Sequence, residues 1–128
     1  MGDEIRISGN YSNVILNIKS TLTNVQQTVG TMPAVDDASR QEVQRLLGQL
    51  SKELEQIPTS LQEQAQAVSA SVQVLVDTAK AQQPNKPMLQ ITADGLKKAA
   101  ENLAGVAPMV VTIAGQVVTA IFRMRGLA

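Results

Sequence analysis

The sequence predicts an α+β fold that is mainly α, with an N-terminal β-hairpin followed by an antiparallel bundle of three or four helices. Near the N-terminus apolar and polar residues alternate, whereas later segments repeat apolar residues every three or four positions. The apolar residues are almost all aliphatic, because Tyr11 and Phe122 are the only aromatic ones. We expect a single compact domain, with the hairpin and its connector in residues 1–30 and the helical bundle in residues 31–128.

The predicted hairpin has two alternating stretches. Ile5 and Ile7 alternate with polar residues before the turn-forming sequence GNYSN, and Val14, Leu16 and Ile18 do so after it. A two-stranded hairpin alone is marginally stable in water, so it must pack on the helices or pair with strands of another chain. Val14, Leu16 and Ile18 are therefore candidate interface residues.

The segment that follows the hairpin, residues 20–29, fits two patterns. Its Thr, Asn and Val residues favour extended structure, but its apolar residues also keep a helical spacing. Both alternatives stay open at this stage. The apolar residues with helical spacing are Ile15, Ile18, Leu22, Val25 and Val29.

Two amphipathic helices are predicted in the middle of the chain. Ser39 and Glu42 have the spacing of a capping box at the start of the first helix, which Pro58 ends. Ser60 and Glu63 repeat that spacing at the start of the second helix. Because the connection is so short, we expect these two helices to form an antiparallel hairpin. Their apolar stripes are Val43, Leu46, Leu47, Leu50, Leu54 and Ile57, then Leu61, Ala65, Val68, Val72, Leu75, Val76 and Ala79.

The last third of the chain carries a seven-residue apolar repeat. Asn85 and Pro87 resemble a helix start, and Gly105 and Pro108 divide the repeat into two helices or one kinked helix. A sustained seven-residue repeat is typical of helices that pair along a seam, so we predict self-association here. The repeat is Leu96, Leu103, Val110, Val117 and Met124. The predicted interface residues are Leu96, Leu103, Val110, Ile113, Val117 and Ile121.

The stretch Val106–Phe122 contains no charged residue, and three interpretations of it stay open. It fits the central helix of the bundle, a helix buried between identical subunits, or a segment that enters a membrane. Lys and Arg residues on both sides favour the membrane, whereas its Gln, Thr, Gly and Pro content opposes it. The weakly polar residues return every three or four positions and form one narrow strip: Glu101, Gly105, Pro108, Thr112, Gly115, Gln116, Thr119 and Arg123.

The composition argues against an enzyme. The chain has no His and no Cys, so the most common general base, nucleophile pairs that use these residues and thiolate metal sites are excluded. We interpret Asp36–Asp37 and the pair Glu53 and Glu55 as helix-terminal or solvated charges rather than as an acid–base or magnesium site. No phosphate-binding glycine loop is present. We predict no catalytic residue, no metal and no cofactor.

The charge balance and the N-terminus limit the partners and the compartment. Eleven basic and eleven acidic residues cancel, and few aromatic side chains are available for base stacking, so we expect no binding to nucleic acid. The N-terminal sequence MGDEIRISG has acidic residues where a signal peptide needs a basic start. We therefore expect the protein to be cytoplasmic.

Four segments together resemble a group of small bacterial proteins and modules joined to caspase-like or STAND-type effectors of bacterial conflict systems. They are GDEIRISG, STLTNVQQTVG, the helical hairpin and GLKKAAENLAGVAPMVVTIAGQVV. The resemblance covers most of the chain, but its motifs are structural and include no catalytic residue. It implies an assembly or signalling module, with an effector protein as a partner.

These observations predict a non-enzymatic oligomerisation or protein-interaction module. It would associate with itself through the C-terminal repeat and through the N-terminal strands. The alternative function is that of a membrane-active protein whose C-terminal apolar helix inserts into a bilayer or lies on it.

Overall fold

The computed structural model of the chain describes residues 2–33, 35–81 and 83–127, with side chains from residue 13 onward. Within these ranges the regular structure is helical, and no β-strand occurs. A single 3₁₀ turn, Thr59–Leu61, precedes α3. The α-helices are α1 Gly2–Thr31, α2 Asp37–Glu55, α3 Gln62–Ala79, α4 Lys86–Glu101 and α5 Pro108–Met124.

The helices pack in an order that differs from their order in the chain. α1 lies between α2 and α3, α2 also packs on α5, α3 packs on α4, and α4 packs on α5. The contacts therefore close a circuit in the order α1, α2, α5, α4 and α3. Because α1 separates α2 from α3, the side-by-side hairpin that we predicted for these two consecutive helices is wrong.

The predicted N-terminal β-hairpin is also wrong, because α1 covers that whole segment. The residues that decide this are Ile18, Leu22, Val25 and Val29, whose side chains are buried and lie on one face of the helix. A strand would send alternate side chains of this segment to opposite sides, whereas a helix sends all four to the core. Ile5 and Ile7, on which the first strand was predicted, lie outside the residues whose side chains the structure describes.

Reciprocal hydrogen bonds align α1 with α2. Gln26 Nε2 donates to the carbonyl oxygen of Gln44 at 2.8 Å, and Gln44 Nε2 donates to the carbonyl oxygen of Gln26 at 3.1 Å. Gly30 leaves room for this pair, because a Cβ atom there would lie 2.8 Å from Gln44 Nε2. Lys19 Nζ forms an ion pair with Glu55 Oε1 at 3.1 Å. Since residue 19 lies beside residue 55 and residue 26 beside residue 44, the two helices are antiparallel.

The helix starts agree with the sequence prediction at one place and differ at two. Asn85 caps α4, where its Oδ1 accepts a hydrogen bond from Met88 N–H at 3.2 Å, which confirms the predicted start. In α2 the cap is Asp36 rather than Ser39, because Asp36 Oδ2 accepts hydrogen bonds from the N–H and the hydroxyl of Ser39. In α3 no side chain caps the first turn. The 3₁₀ turn before α3 occupies the position of the predicted Ser60 cap.

The connection between α4 and α5 settles the choice between one kinked helix and two helices. α4 ends at Glu101, turns lead through Leu103 to Ala107, and α5 starts at Pro108. Proline fits here because the first residue of a helix needs no N–H donor. The chain therefore forms two separate helices on the seven-residue repeat.

Three segments meet at the end of the bundle where α5 terminates. Asp36 N–H donates to the carbonyl oxygen of Met124 at 3.2 Å, and Arg125 Nη2 donates to the carbonyl oxygen of Ala81 at 2.9 Å. Arg40 Nη2 donates to the carbonyl oxygen of Met32. These bonds connect the α1–α2 loop, the α3–α4 loop and the C-terminal segment.

A buried Leu→Ala change and an exposed one provide a matched pair for testing the core. Leu50 is buried in α2, and Leu16 is exposed in α1. We expect Leu50→Ala to lower the free energy of unfolding by about 2–5 kcal/mol, because it removes apolar contacts and leaves a cavity. Leu16→Ala should change it by less than about 0.5 kcal/mol. Urea unfolding followed by circular dichroism measures both, and equal effects would contradict the assigned positions of these residues.

The cap of α2 makes the stability depend on pH. Hydrogen bonds from the Ser39 hydroxyl and from the Ser39 N–H hold the pKa of Asp36 below its ordinary value of 3.8. Since the pKa is lower in the folded chain, the carboxylate stabilises the fold above about pH 3.8, and this contribution is lost as the pH falls through the folded pKa. Asp36→Asn keeps a capping oxygen that does not titrate. Thermal melting at neutral and acidic pH should therefore show a smaller acid-induced decrease in the melting temperature for Asp36→Asn than for the wild type.

Candidate interaction surface

The predicted interface residues of the C-terminal third are all buried within this one chain. Each of them is at most 2% exposed, and each packs in the shared core of the bundle. They are Leu96, Leu103, Val110, Ile113, Val117 and Ile121. A second copy could reach these side chains only if α4 or α5 left the bundle. In the folded bundle these side chains are therefore not available to another subunit.

The three candidate interface residues of the N-terminal segment face different environments. Ile18 is buried in the core, Val14 is half-buried against it, and Leu16 is exposed. On a strand all three would point to the same side, but on a helix they spread around the axis. The structure therefore does not bring them together as one apolar face.

The uncharged stretch Val106–Phe122 forms most of α5, and its weakly polar strip faces outward. Thr112, Gln116, Thr119 and Arg123 are exposed, whereas the apolar residues between them pack on neighbouring helices. With Glu42 of α2, the strip lines a groove of about 420 Å³. Of the three interpretations, the structure supports a helix that is covered by its own neighbours. Among the helices that the structure describes, none combines the length and the apolarity that crossing a membrane requires.

A different surface, on α3 and α4, exposes large apolar side chains. Val74 is 52% exposed, Met88 is 47% exposed and Ile91 is 64% exposed. A groove of about 200 Å³ lies between the two helices, and small side chains form most of its walls. It is lined by Ala70, Ser71, Val74, Thr92 and Gly95. We call the exposed side of these helices, residues 67–77 of α3 and 88–98 of α4, the α3–α4 face.

The sequence contains a signal for this face in residues that lie outside the apolar stripes. Val74 lies outside the buried stripe of α3, and Ile91 lies outside the buried stripe of α4. An aliphatic residue that does not belong to the stripe of an amphipathic helix cannot reach the core on which that stripe packs. Such residues indicate a second apolar surface, and these two lie on helices that pack on each other.

Charged residues lie on both sides of the α3–α4 face. Asp77 forms an ion pair with Lys80 at 3.4 Å, but both side chains are about half exposed, so the pair contributes little to stability. Lys98 is exposed and forms no ion pair within the described part of the chain. The exposed charged residues within residues 67–77 and 88–98 are therefore Asp77 on α3 and Asp94, Lys97 and Lys98 on α4.

A second exposed apolar site lies at the opposite end of the bundle from Arg125. Val106 and Met109 are both about half exposed there, at 51% and 52%. Together with Ile57, Pro58 and other residues they line a groove of about 210 Å³ that also contains the polar side chains of Glu53 and Gln56. This site exposes fewer large apolar side chains than the α3–α4 face. It lies at the connection between α4 and α5 rather than along two helices.

Three of the four carboxylates considered for catalysis have structural partners. Asp36 caps α2, Asp37 pairs with Arg40 at 2.8 Å, and Glu55 pairs with Lys19. Among the described residues, no group of three or more potential ligands could hold a metal ion. The structure confirms that Asp36 and Asp37 lie at a helix N-terminus, where negative charge is favourable.

Neither protein-family models, nor curated proteins, nor solved structures gave a match to this chain. The resemblance to modules joined to bacterial effectors stays a prediction.

A lysine introduced at a position of the seven-residue repeat tests whether that position lies in the core or on the surface. We expect Val117→Lys to lower the free energy of unfolding by about 3–5 kcal/mol, because the ammonium group would be buried without a partner. The adjacent exposed position provides the control, since Gln116→Lys adds the same charge on the outer side of α5. Urea unfolding measures both variants. If Val117→Lys yielded a folded monomer as stable as Gln116→Lys, the core position of Val117 would be contradicted.

Proposed function

We propose that this chain is a non-enzymatic protein-interaction module that associates with itself in the cytoplasm. The observation that carries the proposal is the α3–α4 face, where Val74, Met88 and Ile91 expose apolar surface beside a groove of small residues. Exposed apolar side chains that lie together, rather than singly, are typical of surfaces that bind other proteins. The α3–α4 face replaces the buried C-terminal seam as the surface available for association.

An effector protein is a further partner under this proposal. The support is the resemblance of four segments of the sequence to modules joined to caspase-like or STAND-type effectors. Self-association of such a module would bring its partners close together and raise their effective concentration.

Sedimentation velocity over a range of protein concentrations tests self-association. We expect the mean mass to rise from that of one chain, 13.6 kDa, towards a multiple of it as the concentration increases from about 1 μM to about 1 mM. Circular dichroism should show the same helical signal throughout, because association uses a surface that is already formed. A mass of one chain at every concentration would contradict the proposal.

Flotation with anionic lipid vesicles separates this function from membrane binding. We expect the protein to stay in the dense fraction, since the apolar side of α5 is covered by other helices. Binding that survives high salt would contradict the proposal and favour insertion, whereas binding lost in high salt would come from surface charge alone.

A further inference from the structure

We draw no further inference here: the strongest candidate, the exposed apolar patch of Val74, Met88 and Ile91 on the α3–α4 face, carries nothing beyond the proposed function, because nothing in the structure shows what covers it.

Discussion

The need to cover α5 is the constraint on which the rest of the structure depends. Most of the circumference of this helix is aliphatic, so leaving it exposed would put a large apolar surface in water. α2 covers one side and α4 covers another, and the weakly polar strip that contains Gln116 is the side left to solvent. The circuit of helices around the core therefore closes through α5. The buried residues of the seven-residue repeat contact neighbouring helices of the same chain rather than another subunit.

α1 has the corresponding role on the other side of the bundle. It fills the space between α2 and α3, and the reciprocal hydrogen bonds of Gln26 and Gln44 hold it at one position along α2. A β-hairpin could not contribute a continuous stripe such as Ile18 to Val29 to both neighbours. The resulting core is aliphatic. On their outer sides, α3 and α4 keep exposed apolar surface that does not pack in this core.

Local patterns predicted the middle and C-terminal helices, because Pro58, Pro87 and Pro108 mark boundaries and the stripes between them have one period. They did not predict α1. Its first residues alternate, its later residues have helical spacing, and Thr and Asn lower its intrinsic helix propensity. Packing against two other helices decides whether such a segment becomes a helix or a strand. Its local pattern does not show these contacts, because the partner residues are distant in sequence. For the same reason the repeat predicted helix pairing correctly but could not distinguish a partner in the same chain from one in another.

The contact between α2 and α5 also constrains how the chain acquires its fold. These helices are separated in sequence by α3 and α4, so during synthesis the apolar stripe of α2 is complete long before α5 leaves the ribosome. Of the helices that precede α5, α1 makes the main contact with α2, and it covers one side. The nascent chain therefore carries an exposed aliphatic stripe until α5 emerges. The emergence of α5 then reduces its exposure to aggregation and to chaperones.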